Sequence, residues 1–179
     1  MLCCPIRDPA RAGRSRIGYA SPMNTTSEIT VRAATDADAD IIAAFNVAMA
    51  RETEYKTLTP GTVLAGVRGL LSRPDYGFYL VAEVGGAVAG CLLVTFEWSD
   101  WRNSLFWWIQ SVYVHLDFRR RGVFTALYRE VEARAVTEPG VCGLRLYVEQ
   151  DNEAARGTYR ALGMSQTPYQ IFERVVSAD

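Results

Sequence analysis

FWWIQSVYVHLDFRRRGVFTAL, residues 106–127, carries the strongest structural signal in the chain. Its first nine residues are continuously apolar and aromatic apart from Gln110 and Ser111, which is typical of a strand buried on both faces. A short turn and three arginines follow, and Gly122 then opens a helical pattern of apolar residues. A strand, an Arg/Gly turn and a helix in this order direct free backbone N–H groups at the helix N-terminus toward an anion. The stretch therefore predicts a site for a phosphorylated ligand, with the arginines adding charge.

The bulk composition bounds the class of protein. A chain of 179 residues that is 49% hydrophobic can form one globular domain with its own core. A formal net charge of −1 gives no overall attraction to nucleic acid or to a membrane, and neither is expected as a partner. No apolar run reaches the roughly 18 residues that a membrane span needs, and a cytoplasmic location is expected.

The metal-ligating residues are few. His115 is the sole histidine and the chain has no CxxC pair, so no metal site is expected. Cys91 and Cys142 lie in apolar segments that read as strands, and we expect both to be buried free thiols.

Residues 1–27 do not resemble the rest of the chain. They carry four arginines against one acid and show no hydrophobic periodicity. They also lack the apolar core of a secretory signal. We interpret them as a disordered N-terminal extension, or as a start assigned too early with Met23 beginning the natural chain. The globular domain is predicted over residues 28–179.

Periodicity and turn residues predict the element order. The predicted elements are a strand at 28–32, a helix after Thr35-Asp36, a helix at 60–71, a hairpin of 78–84 with 87–98, the strand and helix of the opening stretch, a strand at 141–149, a helix at 151–162, and a final strand or hairpin at 164–174. Gly85-Gly86 marks the hairpin turn, and Gly163 suits the C-terminal end of the last helix.

Two motifs carry a family resemblance. Arg119 and Gly122 fit a phosphate turn of the form Arg/Gln-x-x-Gly-x-Gly/Ala, although Phe124 stands at its small last position. Asn152, Ala155, Tyr159, Gly163 and Met164 fit the pattern Asn-x-x-Ala-x-x-x-Tyr-x-x-x-Gly-Phe/Met. With a strand between the two motifs, the chain from about residue 29 to 172 resembles the GNAT superfamily of acetyl-CoA-dependent N-acetyltransferases.

The resemblance implies both a fold and an activity. The fold is a single α/β (α+β) domain with a mixed, mainly antiparallel twisted sheet and helices on both faces. The activity is transfer of an acetyl group from acetyl-CoA to a primary amine, by direct attack through a tetrahedral intermediate. A small-molecule amine is the expected partner, and no metal cofactor is implied.

The resemblance also assigns residues to the acetyl-CoA site. The backbone of one strand would hold the pantetheine and the acetyl carbonyl, the turn would hold the pyrophosphate, and the last helix would flank the CoA arm. The residues so assigned are Val112, Tyr113, Val114, Arg119, Arg120, Arg121, Gly122, Val123, Phe124, Thr125, Asn152 and Ala155. Tyr159 would protonate the departing thiolate, as a phenol with a pKa near ~10 can.

Structural interpretations of the same residues stay open. Tyr159 lies at helical spacing from apolar neighbours and could be an ordinary core residue. Asn152 suits a helix N-cap whatever the function. Arg119–Arg121 could be a solvated basic surface or a nucleic-acid contact.

The sequence gives less specific signals for the acceptor amine than for acetyl-CoA. The local layout is similar to diamine acetyltransferases, but Gln110 stands where that pattern has a glutamate, and an amide cannot act as a base. The candidate bases that remain are Glu97, Asp100, Glu52, Glu54 and Glu149. Glu97 is preferred because it ends the strand expected beside the acetyl site, with an ordinary strand-end carboxylate as its alternative. Glu52 and Glu54 could favour a cationic amine or lie on a solvated helix end.

Three other functions stay open. They are a polyamine acetyltransferase, a protein or peptide N-acetyltransferase, and an acyl-CoA-binding sensor that has lost catalysis. The aromatic residues between Trp98 and Trp108 could also serve a homodimer interface.

Overall fold

The computed structural model describes residues 28–176, and the N-terminal extension predicted at residues 1–27 lies outside them. The strands are β1 (Ile29–Ala33), β2 (Gly77–Val84), β3 (Ala87–Ser99), β4 (Ser104–Val114) and β5 (Val141–Leu146). The α-helices are α1 (Ala39–Thr53), α2 (Pro60–Leu71), α3 (Val123–Thr137) and α4 (Glu153–Ala161). Short 3-10 helices at Asp36–Asp38 and Leu116–Phe118 precede α1 and α3.

The described strands form one mixed sheet in the order β1-β2-β3-β4-β5. The first three pairings are antiparallel, and β4 pairs with β5 in parallel. The parallel pair requires a crossover, which α3 supplies between the two strands. The single α/β domain with a mixed, mainly antiparallel sheet is therefore confirmed.

Helices cover both faces of the sheet, as predicted. On one face, Ile42 and Phe45 of α1 and Val67 of α2 pack against Val81 and Cys91. On the other, apolar residues of α3 and α4 pack against alternate residues of β2, β3 and β4; they include Leu127, Val131, Ala155, Leu92 and Ile109. Because successive side chains of a strand point to opposite faces, β3 and β4 contribute side chains to both cores.

Three predictions need correction. The strand after α3 ends at Leu146 rather than at residue 149, because its pairing with β4 ends at Ile109. Residues 164–174 form no strand, since no described strand hydrogen-bonds to them, and Ile171 and Phe172 are exposed. Cys142 is exposed rather than buried, because β5 is the last described strand of the sheet.

A charged cluster joins β1, β2 and the start of α1. Both terminal nitrogens of Arg32 donate to the Asp38 carboxylate at 2.8 Å, and its Nε donates to Glu83 at 2.8 Å. The Thr35 backbone N–H also donates to Asp38 at 2.7 Å. The hydrogen bonds from Arg32, which outweigh the opposing effect of burial, lower the pKa of Asp38 to about 2. Asp38 is therefore ionised in the folded protein at neutral pH.

Replacing Asp38 with asparagine is expected to lower the free energy of unfolding at pH 7 by on the order of 2 kcal/mol. Because the pKa is depressed on folding, this stability is present above the unfolded value near 4 and is lost as pH falls toward 2. Urea unfolding of both proteins at pH 7 and pH 3 checks this: the difference should shrink at pH 3. Asp40→Asn is the control, since that side chain is exposed and its contact with Arg68 is long at 3.5 Å. An equal loss at both pH values would contradict the prediction.

Candidate active site

A β-bulge in β4 lies at the centre of the candidate site. Leu93 of β3 is in register with Ser111, whereas the next residue, Val94, is in register with Ile109. Gln110 is therefore the extra residue of the bulge. The parallel pairing with β5 ends at the same point, with Ile109 opposite Leu146. Beyond it the two strands separate, so β5 does not pair with Val112–Val114. A gap of this kind at the edge of a strand is a place where a ligand can meet the backbone.

The Arg/Gly turn leads from this gap into α3. Gly122 is the N-cap of α3 with φ of +87°, and Arg120 has φ of +61°. These two left-handed residues curl the turn so that it enters the helix directly. The backbone N–H of Ala126 donates to the Gly122 carbonyl at 2.9 Å. The N–H groups of Val123, Phe124 and Thr125 precede that first helical bond and can bind an anion.

The three arginines of the turn differ in their surroundings. Arg120 and Arg121 are exposed at the turn. Arg119 is directed toward α1: its Nε donates to the Val114 carbonyl at 2.9 Å, and its terminal nitrogen donates to Glu52 at 2.6 Å. The Tyr113 hydroxyl donates to the same carboxylate at 2.8 Å. Arg119 and Glu52 thus tie the turn and the end of β4 to the C-terminal part of α1, a link that no local sequence pattern indicates.

Helix α4 packs against the first turn of α3. Asn152 is its N-cap, and the side-chain oxygen accepts from the Ala155 N–H at 3.1 Å. Tyr159 lies further along the helix and is buried. The ring of Phe124 contacts Tyr159 edge-on at 6.0 Å between ring centres. Phe124 therefore packs between α3 and α4, and its size at the small position of the motif is accommodated in the core.

One buried polar atom at the start of α4 has no partner. The side-chain Nδ2 of Asn152 is the only buried side-chain nitrogen or oxygen among the described residues without a hydrogen bond. An orphaned donor costs stability unless a ligand or water satisfies it. An amide N–H group of this kind can donate to a carbonyl of a ligand. Asn152 and the N-terminal amides of α3 are accordingly a donor set that suits acetyl-CoA.

Three of the five carboxylates considered as bases are paired with a cation. Glu97 accepts from Arg145 at 2.7 Å and from the Trp108 indole N–H. Glu54 pairs with Lys56 at 2.6 Å, and Glu52 pairs with the arginine at the start of the turn. Each is thus engaged by a cation of the chain itself.

Partly exposed aromatic and charged side chains lie together on the α1–α2 face of the sheet. Trp108 and Tyr147 stack at 4.3 Å between ring centres, at the point where β4 and β5 separate. Next to them, the guanidinium of Arg145 lies 3.7 Å from the centre of the Phe106 ring. The sequence assigns no role to Arg145, because an arginine between Leu144 and Leu146 has the pattern of an ordinary outward-facing strand residue.

Three further observations concern a thiol, the metal-ligating side chains and the helices. Burial raises the pKa of Cys91 to about 12, so this side chain stays a thiol. Within residues 28–176, no group of three His, Cys, Asp or Glu side chains is close enough to hold a metal ion. None of the described helices is both long and apolar enough to cross a membrane.

Comparison with known proteins identifies the family. The sequence profile of the Acetyltransferase (GNAT) family matches residues 43–164. This range includes most of α1, the β4 bulge, the Arg/Gly turn and α4. The chain belongs to the GNAT family, and its enzyme class is that of the acyltransferases.

Individual relatives agree with this assignment. An acetyltransferase of Yersinia enterocolitica is 34% identical over 88 residues, which span 49% of this chain and 57% of that protein. The solved structure of a possible acetyltransferase from Clostridium difficile 630 is 40% identical and superposes with a TM-score of 0.79, over 84% of this chain and 99% of the other. An aminoglycoside N-acetyltransferase in complex with CoA is similar in fold, with a TM-score of 0.69 at 19% identity over 84% of this chain and 97% of the other.

Proposed function

We propose that this protein transfers an acetyl group from acetyl-CoA to the primary amine of a small molecule in the cytoplasm, by direct attack of the amine. The gap between β4 and β5 carries the proposal, because it opens at the Gln110 bulge and leads into the Arg/Gly turn of α3. Backbone groups in the gap, free amides at the turn and the orphaned Asn152 nitrogen together suit an acyl thioester with a pyrophosphate.

Each residue has a defined part in this proposal. The amides of Gly122–Thr125 bind the pyrophosphate, and Arg120 and Arg121 supply charge beside them. The backbone of Val112–Val114 orients the acyl group, and its N–H groups stabilise the negative charge that develops on the carbonyl oxygen. Asn152 and Ala155 flank the CoA arm. Tyr159 donates its proton to the departing sulfur. Arg119 acts through Glu52 to hold the turn in position.

The acceptor must lose a proton, and the structure bears on the candidates for a base. Glu97 and Glu52 each lie in an ion pair with an arginine. Both oxygens of each carboxylate already accept hydrogen bonds, those of Glu97 from Arg145 and Trp108 and those of Glu52 from Arg119 and Tyr113. We assign deprotonation of the acceptor to a water chain that Gln110 orients. The same pairing argues against a polyamine, whose second ammonium would need an unpaired acid.

Thermal unfolding with and without ligand tests the proposal. Acetyl-CoA at 100 times its dissociation constant should add about 2.7 kcal/mol, which raises the Tm by about 5–10 °C for a domain of this size. Desulfo-CoA should give a similar shift, since it keeps the pyrophosphate. Arg121→Glu should lose most of the shift, because it places a negative charge beside the turn.

Arg129→Glu is the matched control for this experiment. It reverses an exposed charge on α3 beyond the first turn and should keep the shift. No shift in the wild-type protein would refute acetyl-CoA binding and leave the Arg/Gly turn as a basic surface. A shift without turnover of any amine would instead support the acyl-CoA sensor.

A further inference from the structure

The α1–α2 face of the sheet contains a group of partly exposed side chains around Arg145. Glu97 of β3 is in register with Phe106 of β4, and Trp108 of β4 is in register with Arg145 of β5. These four side chains therefore lie on one face of the sheet. The Phe106 ring lies over Gly143, where a Cβ would come within 2.8 Å of the ring. Gly143 therefore lets the ring lie flat on the sheet, and Arg145 stacks on it at 3.7 Å.

The Arg145 guanidinium is held in a fixed orientation, but most of its hydrogen-bond donors have no partner among the described residues. Its Nη1 donates to Glu97 at 2.7 Å, which fixes the guanidinium on the Phe106 ring. Within residues 28–176, the guanidinium makes this one hydrogen bond, although it has five N–H donors. The side chain is 33% exposed, so a ligand can reach part of it. A fixed guanidinium of this kind matches a carboxylate, which it binds through two parallel hydrogen bonds.

The position of Arg145 relates it to the proposed acetyl site. Trp108, its neighbour in register, lies two residues before the Gln110 bulge, and Phe106 lies four residues before it. At about 3.3 Å per residue, the guanidinium is roughly 7–13 Å from the bulge along β4. Trp108 and Tyr147 line the intervening surface and provide an apolar wall for a connecting chain.

We infer that the acceptor is an amine that carries a carboxylate several bonds from the reacting nitrogen, and that Arg145 binds this carboxylate. The inference rests on the proposed function and adds the class of substrate to it. Glu97 is then a positioning residue rather than a base: it holds Arg145 and neutralises part of its charge. The arrangement also discriminates against diamines, because a second ammonium would meet the arginine.

Three acceptors of equal length test this inference. 6-Aminohexanoate, hexylamine and 1,6-diaminohexane present the same amine with an anionic, neutral or cationic end. For the wild-type enzyme, kcat/KM should be about tenfold to a hundredfold higher for 6-aminohexanoate than for hexylamine, as a charge-assisted bidentate contact implies. 1,6-Diaminohexane should be the poorest of the three.

Variants of Arg145 separate its role from general effects. Arg145→Met keeps the apolar stem and should abolish the preference for 6-aminohexanoate while leaving hexylamine within about twofold. It also frees Glu97, so 1,6-diaminohexane should improve. Arg134→Met is the matched control: this arginine has a similar ion pair, with Glu130 at 2.8 Å, on α3. It should leave all three values unchanged.

Equilibrium binding keeps the inference testable without turnover. Calorimetric titration of 6-aminohexanoate into the CoA-saturated protein should show saturable binding that Arg145→Met removes, whereas hexylamine should bind more weakly and equally to both. A wild-type preference for the diamine, an unchanged ratio in Arg145→Met, or no saturable binding of 6-aminohexanoate would each overturn it. Failure of acetyl-CoA itself to bind would instead refute the proposed function.

Discussion

Replacing Tyr159 with phenylalanine is expected to lower kcat by about two orders of magnitude, the usual effect of removing a general acid. Only the hydroxyl is lost. The ring stays buried and keeps its edge contact with Phe124, so α4 should remain in place. KM for acetyl-CoA should change little, because the proton is needed as the thiolate departs and not in the bound ground state. Steady-state kinetics with 6-aminohexanoate or another accepted amine provides the measurement.

Tyr128→Phe is the matched control for this prediction. Tyr128 is buried in the same core, and its ring also contacts Phe124, at 6.3 Å between centres. Burial raises the pKa of its hydroxyl, and the proposed reaction assigns no step to it. Tyr128→Phe should keep kcat within about twofold. If the two variants lose activity equally, Tyr159 is a core residue, which is the alternative that its helical spacing leaves open.

Replacing Gly122 with valine is expected to raise the Kd for acetyl-CoA by about tenfold or more. Gly122 adopts φ of +87°, which costs an L-residue on the order of 1–2 kcal/mol and a β-branched residue more. Space is not the obstacle, since a Cβ would lie 3.8 Å from Ile29. The turn is exposed, so it can relieve the strain by changing its backbone, and the amides of α3 then leave the geometry that an anion needs. Isothermal titration with acetyl-CoA measures the effect.

Gly140→Val distinguishes loss of the site from general strain. Gly140 follows α3 with φ of +82°, and a Cβ added there would meet no atom within 4 Å, so the backbone cost should be similar. It lies beyond the opposite end of the helix from the turn, and acetyl-CoA affinity should be retained. Equal weakening in the two variants would contradict a specific role for the Gly122 turn.

Local sequence signals predicted most elements correctly. Gly85-Gly86 predicted the hairpin turn, and both glycines have positive φ. Pro60 predicted the start of α2, which begins at that residue. These features are decided within a few residues, by backbone sterics and by apolar periodicity. The strand predicted at 164–174 was wrong, because β-propensity forms a strand only where a neighbour supplies hydrogen bonds.

The family, the fold and the positions of the two motifs could all be predicted from the amino-acid sequence, because each depends on residues close together in the chain. The ion-pair partners of the acidic side chains could not be predicted, since they depend on contacts between segments that are far apart in the chain. Glu97 and Arg145 are 48 residues apart, and Glu52 and Arg119 are 67 apart, yet both pairs are in contact. Strand register and helix packing bring them together, and the resulting ion pairs change what each side chain can do. Glu97, which its sequence position makes a candidate base, is thus in the folded protein the residue that holds Arg145 in position.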